Sequence, residues 1–167
     1  MLAPEKIKKE AKKKEYENIR FRKYLKCNAQ EKKLDRQFLA LHREFFDEYD
    51  CSSCRNCCKM YKASIPHEDI EKCAEHLGME KTAFIDRFLD LDRDEYMTKH
   101  MPCDFLDSDG NCILGECRPD SCKKYPYTDQ PGRLQSLYSI LDSAQVCPVV
   151  FEILERLKKE YGFKSKR

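Results

Sequence analysis

From Leu34 onward, Leu34, Phe38, Leu41, Phe45 and Tyr49 step by 4, 3, 4 and 4 along the chain, the stripe of a helix buried on one side. No Gly or Pro falls within residues 5–65, and the segment is rich in Lys, Glu, Leu, Gln and Arg. Helix is therefore predicted from near Pro4, as one long rod or two abutting ones. Within residues 6–33 the apolar Tyr16, Ile19, Tyr24 and Leu25 are scattered among dense charge. Pro66 opens a short helix with Ile70, Cys73, Ala74 and Leu77 on one side, and Gly78 ends it. A second helix carries Phe84, Ile85, Phe88 and Leu89, with the acidic run Asp90, Asp92, Asp94 and Glu95 as its solvated end. Short apolar runs at residues 102–106 and 112–114 flank a polar turn at 107–111, which reads as a hairpin. Leu134, Leu137, Ile140 and Leu141 suggest another helix. Val149 or Val150 begins the last one, continued by Ile153, Leu154, Leu157 and Tyr161 and stopped by Gly162. The predicted fold is mainly α with irregular cysteine-rich loops and a small β-hairpin.

Charge changes this picture only at the front of the chain. Lys and Arg number 32 against 30 Asp and Glu, a net +2 over 167 residues, so no global charge favours nucleic acid, membrane or an acidic substrate. Residues 1–33 nevertheless hold 12 basic and 5 acidic side chains, leaving the remainder net negative. The expected organisation is a basic helical N-terminal arm at 1–33, a metal-stabilised domain at 34–162 and a basic tail at 163–167. On that reading a chain starting near Cys27 would fold by itself, and the arm is the candidate contact for a protein or RNA partner. The two helices about Gly78 lack the basic face of a DNA reader. No apolar stretch approaches the length of a membrane span and no secretory leader is visible, so a cytoplasmic protein with no membrane association is expected.

Eleven cysteines are the feature this composition has to explain. The count is odd and no export signal accompanies it, which disfavours a disulfide framework and favours metal thiolates. The sharpest local motif is Cys51-Ser52-Ser53-Cys54-Arg55-Asn56-Cys57-Cys58, two overlapping Cys-x-x-Cys pairs followed by a vicinal thiol. Two intervening residues let both sulfurs converge on one soft centre. Cys103 and Cys112 flank the predicted hairpin, Cys117 and Cys122 straddle Arg118-Pro119, and Cys147-Pro148 lies between two helices. Cys73, inside a helical stripe, and Cys27 read as packing residues.

These motifs in order, with Pro102-Cys103-x-Phe105-Leu106, Asp109-Gly110-Asn111-Cys112-Ile113, Arg118-Pro119-x-x-Cys122 and Tyr125-Pro126, resemble the YkgJ-type cysteine-cluster (CxxCxxCC) family over residues 50–150. The resemblance implies a zinc- or iron-chelating domain with Cys51, Cys54, Cys57, Cys58, Cys103, Cys112, Cys122 and Cys147 as metal ligands. Cys117 falls where the family has an ordinary residue, so its membership is open. All eight matching side chains are soft thiolates, which suits an iron-sulfur cluster, zinc or cuprous copper and excludes calcium and magnesium. Three cysteines at two-residue spacing completed by a remote Cys-Pro are similar to ferredoxin ligation, whereas zinc knuckles come as separated pairs. Arg118, beside two cysteines, is a candidate to donate hydrogen bonds to thiolates and offset their charge.

Two further expectations concern geometry and activity. If the backbone is extended across Cys57 and Cys58, the adjacent thiols point apart and feed two neighbouring centres. His42, His67, His76 and His100 lie on charged stretches and read as solvated surface. The expected function is a cytoplasmic metal-binding protein holding an iron-sulfur cluster or zinc. The alternatives are an enzyme using the centre for redox or protein-lysine methyl-transfer chemistry, or a zinc-stabilised interaction module. Against methyl transfer, no glycine-rich turn is present to hold an adenosyl cofactor.

Overall fold

The computed structural model describes residues 1–164, so Ser165, Lys166 and Arg167 of the expected basic tail lie outside the described residues. The chain is mainly helical and divides into two compact units. One unit joins Met1–Asp50 to the chain from Pro126 onward, and the other is Cys51–Tyr125.

The first unit is built from α1 (Pro4–Asn28), α2 (Glu31–Phe46), α8 (Leu137–Ser143) and α9 (Pro148–Glu160). Pro4 and Pro148 stand at the first helical positions, where a missing N–H costs nothing. The expected stripe of α2 buries Leu34, Phe38 and Leu41, but the helix ends at Phe46, short of Tyr49. On α9, Val149, Val150, Ile153, Leu154 and Leu157 are all buried, as their spacing predicts. The basic N-terminal segment is helical and well packed: Ile7, Ala11, Phe21 and Leu25 of α1 are buried, and α1 lies against both α8 and α9. Phe21 sits within ring contact of Tyr161 and Phe163. Cys27, expected in the core, is exposed near the end of α1.

A buried ion pair ties α1 to α9. The Lys158 ammonium, 4% exposed, donates to Glu17 at 2.8 Å and to Glu155 at 2.5 Å. Burial would raise the Glu17 carboxyl, yet the hydrogen bond and charge of Lys158, backed by Lys14, hold it below its ordinary value. A depressed folded value means that this contribution is present above the unfolded carboxylate range and is lost as pH falls through the folded value. Stability measured from pH 7 down to pH 3 should therefore fall less steeply in Glu17→Gln than in the parent, and parallel slopes would show that Glu17 is not part of the acid response.

The loop entering α8 is held by polar groups. The Asp35 carboxylate accepts from the Gly132 and Arg133 N–H groups at 3.1 and 2.8 Å, and the buried Arg133 guanidinium donates to the Tyr127 and Pro131 carbonyls. His42 is half-buried, with Nδ1 at 2.8 Å from the hydroxyl of the buried Thr128. This corrects its reading as solvated surface. Burial lowers its pKa, because the interior disfavours the imidazolium.

The second unit holds α3 (Cys51–Cys54), α4 (Asn56–Met60), β1 (Ser64–Ile65), α5 (His67–His76), α6 (Lys81–Phe88), β2 (Leu89–Asp92), β3 (Glu95–Thr98) and α7 (Asp120–Lys124), with a 3-10 turn at Gly115–Cys117. Its core packs Ile65, Ile70, Cys73, Ala74, Phe84, Phe88, Leu89, Phe105 and Leu114, and the Phe84 and Phe105 rings stack at 5.6 Å. Gly78, at φ 65°, lets Met79 N–H reach the Ala74 carbonyl and its own N–H reach Glu75, which caps α5 as expected.

The strands differ from expectation. Helix α6 stops at Phe88, and the acidic run Asp90, Asp92, Asp94 and Glu95 belongs to a hairpin of β2 and β3, not to a helix end. Arg93 and Asp94 both have positive φ, 48° and 73°, the two-residue turn that matches the twist of paired strands. Strand β1 completes an antiparallel sheet in the order β1-β3-β2. The hairpin expected at 102–114 is reduced to a single bridge, Leu106 to Cys112, closing a turn in which the Asp107 carboxylate accepts from the Asp109 and Asn111 N–H groups.

Candidate metal centre

Seven of the eight expected ligands, Cys51, Cys54, Cys57, Cys58, Cys103, Cys112 and Cys122, lie in the second unit, while Cys147 caps α9 in the first. All eleven cysteines stand as thiols, with none joined in a disulfide. The motif at residues 51–58 folds as two helical turns, α3 and α4, divided by Arg55. Arg55 takes the left-handed conformation at φ 48° and donates from Nε to the Gly110 carbonyl at 2.9 Å. That bond fastens the cysteine turns to the loop bearing Cys112. The Cys103 N–H donates to the Cys58 carbonyl at 2.8 Å, which brings the Pro102-Cys103 loop beside the same turns. Cys122 enters on α7, whose neighbour Ser121 donates to the Ser64 carbonyl at 2.8 Å.

The electrostatics show which thiols share one neighbourhood. Burial pushes the Cys103 thiol up to about 11, and the nearby Cys58, Cys122 and Cys112 sulfurs add to the rise. Burial also raises Cys122, with Cys58 and Cys112 adding and Arg118 opposing. Cys58 goes the other way: the hydrogen bond with Cys57 leads, and the Arg55 and Arg118 guanidinium groups help hold it below the usual thiol range. Cys58, Cys103, Cys112 and Cys122 thus lie within electrostatic reach of one another, with Arg55 and Arg118 acting on Cys58. The Nε of Arg118 is buried without a hydrogen-bond partner, a donor held in place among thiols. Arg118 is the cation that the sequence points to beside the sulfurs; Arg55 was missed. The only signal for Arg55 was its position inside the motif.

Cys57 and Cys58 do not sit on extended backbone. Both lie on α4, where successive side chains are turned by about 100° instead of pointing to opposite faces, and their sulfurs are 4.0 Å apart. Sulfurs bound to one tetrahedral ion at about 2.3 Å stand about 3.8 Å apart, so the geometric reason for assigning these two to different centres disappears. As placed, no three His, Cys, Asp or Glu side chains among the described residues are close enough to share an ion. The donor set still fits zinc or iron: every gathered ligand is a thiol, and two guanidinium groups are positioned to balance the charge that thiolates bring.

Cys73 is a core residue, as its stripe predicts. It is fully buried, its thiol is pushed up to about 11 chiefly by burial, and its Sγ donates to the Cys117 carbonyl at 3.4 Å. Cys117 accordingly lies beside Cys73. Replacing Cys73 by Ser should lower stability by about 1–3 kcal/mol through burial of a hydroxyl while leaving metal per chain unchanged. Cys122→Ser should lose metal. Equal loss in both variants would place Cys73 among the ligands. His76 and His100 are exposed, as their solvated-surface reading expects, each with one surface partner: His100 Nδ1 is 2.6 Å from the Asp104 carboxylate, and His76 Nε2 is 3.1 Å from the Ile113 carbonyl.

No curated protein and no solved structure matches the chain. A family model described as "CxxCxxCC: Putative zinc- or iron-chelating domain" matches residues 50–148, more than half of the sequence, and takes in all eight expected ligand cysteines. On that match the chain belongs to the CxxCxxCC family, whose description is a zinc- or iron-chelating domain.

Proposed function

We propose that this is a cytoplasmic metal-thiolate protein that holds an iron-sulfur cluster, with zinc as the competing occupant, through thiolates drawn from Cys51, Cys54, Cys57, Cys58, Cys103, Cys112, Cys122 and Cys147. The observation that carries this reading is the fastening of the Cys103 and Cys112 loops to the turn of Cys57 and Cys58, by the Cys103 N–H on the Cys58 carbonyl and the Arg55 Nε on the Gly110 carbonyl. Surface cysteines with no common task have no reason to be fastened together across three loops. Deprotonating four thiols side by side is costly unless a cation sits among them, and the two guanidinium groups offset what charge remains.

Iron-sulfur is favoured over zinc by the run of three cysteines at two-residue spacing, which is the ferredoxin pattern and exceeds what a zinc knuckle needs. Arg55 and Arg118 would stabilise the more negatively charged state of a bound centre and so shift any potential it has upward. The cytoplasmic reading is supported by the odd count of eleven cysteines in metal-ligand spacing, which suits metal thiolates better than a disulfide framework. No described helix is long and apolar enough to cross a membrane.

Purification without oxygen followed by counting of iron, acid-labile sulfide and zinc tests the reading directly. Iron and sulfide in equal amounts are the expected result. Stoichiometric zinc without sulfide would replace the cluster by a structural zinc site, and a metal-free protein that fails to take up either ion would overturn metal binding through these thiols. Cell fractionation with the intact chain tests the location, and recovery in an oxidising compartment would contradict it.

A further inference from the structure

Helix α1 has two faces of different chemistry. One buries Ile7, Ala11, Phe21 and Leu25. On the opposite face lie Lys9, Lys12, Tyr16, Ile19, Arg20 and Lys23, which at about 100° per residue fall within an arc of about 100°. No acidic side chain falls in that arc between Lys9 and Lys23, a run of about 21 Å along the helix axis. At its middle, Tyr16 is 71% exposed and Ile19 39% exposed, although the helix has already buried its apolar stripe elsewhere. The Arg20 guanidinium carbon lies 5.9 Å from the centre of the Tyr16 ring. The result is a flat aromatic surface edged by cations.

We propose that this face of α1 binds single-stranded RNA, with Lys9, Lys12 and Lys23 on phosphates and Tyr16 stacked on an unpaired base. A row of cations matches a phosphate backbone, and an exposed ring flanked by cations is a platform for any base. A duplex keeps its bases stacked inside, whereas RNA presents unpaired bases in loops and at ends. A membrane surface fits less well. An interfacial helix must immerse its apolar face, and that face of α1 is covered by the protein's own core, leaving Tyr16 and Ile19 alone. An acidic protein would satisfy the charge but would have no use for the ring. The proposal does not depend on which metal the cysteines hold.

The experiment is fluorescence anisotropy of the full chain, metal bound, with a labelled mixed-sequence single-stranded RNA of about 15 nucleotides. With Lys9, Lys12 and Lys23 on phosphates, affinity should fall about 20-fold between 50 and 200 mM salt, a log-log slope near −2. The triple variant Lys9→Gln, Lys12→Gln, Lys23→Gln alters only exposed side chains and should bring the slope close to zero. Tyr16→Ala should bind at least about fivefold more weakly with the slope unchanged. Lys72→Gln on α5 should bind as the parent does. Circular dichroism confirms that each variant is folded. Absence of RNA binding at 50 mM salt overturns the proposal, as does indifference to both the triple variant and Tyr16→Ala. Binding to phosphatidylserine vesicles with none to RNA would assign the surface to a membrane and overturn it equally.

Discussion

Stripping the metal from anaerobically prepared protein should loosen residues 51–60 and 120–124 while leaving the aromatic core of the same unit folded. Helices α3, α4 and α7 are four or five residues long, and none buries a single residue. Isolated helices of that length have no stability in water, because nucleation costs more than one turn of hydrogen bonds returns. On the proposed reading their thiols supply what is missing: an ion held by Cys57, Cys58 and Cys122 would tie α4 to α7, and metal binding by such sites is itself folding free energy. The aromatic cluster of Phe84, Phe88 and Phe105, by contrast, is held by burial and stacking that require no ion. Hydrogen exchange read by mass spectrometry should lose at least tenfold protection in the cysteine-bearing segments on chelation. Peptides from α5 and α6 should change little. Uniform loss across Cys51–Tyr125 would show that the ion supports the whole unit, and no change anywhere would show that the thiols do not hold metal.

That contrast also shows what the sequence could and could not reveal. The family was legible because cysteine spacing is itself the pattern: two intervening residues permit convergence whatever the surrounding fold. The cationic lining of the thiols was half legible, since Arg118 stands beside two cysteines, while the aim of Arg55 depends on a left-handed backbone that only the folded chain specifies. Without metal the loop at 100–131 has too little apolar content in its sequence to order itself, yet its Phe105 and Leu114 are buried in the core.

The hairpin of β2 and β3 was hidden by continuity. Phe84, Phe88 and Leu89 extend a helical stripe, and the turn at Arg93 and Asp94 lacks the Asn or Gly that usually announces positive φ. On α1 the stripe was disguised instead of absent. Ile7, Ala11, Lys14, Asn18, Phe21 and Leu25 step by 4, 3, 4, 3 and 4, a regular helical seam with polar residues at its two middle positions. Asn18 is buried, and Lys14 is half-buried and paired with Glu17 and Glu155. A hydropathy pattern sees a break there, but the folded helix continues through it: Lys14 finds two carboxylates, while Asn18 is buried with its Oδ1 lacking a hydrogen-bond partner.

Deleting residues 1–26 should therefore prevent the first unit from folding, contrary to the expectation that a chain starting near Cys27 is self-sufficient. The deletion removes Ile7, Phe21 and Leu25, each at most 1% exposed, and uncovers Phe151 on α9. At about 1.5–3 kcal/mol for each large apolar side chain, the loss is at least about 5 kcal/mol. Domains of this size are stable by about 5–15 kcal/mol in total, so the loss consumes much or all of the margin. The same cut takes Glu17 away from the buried Lys158 ammonium and leaves Glu155 as its remaining partner. Truncating one member of a buried ion pair costs more than the pair contributes, since the survivor stays desolvated. The shortened chain should lose helical signal well beyond the residues removed, with α8 and α9 unprotected in hydrogen exchange. Phe21→Ala is the milder version, expected to cost about 3–5 kcal/mol in denaturant unfolding. If the truncated protein melts within a few degrees of the parent with α9 still protected, the contacts of α1 are incidental and the N-terminal segment is an arm after all.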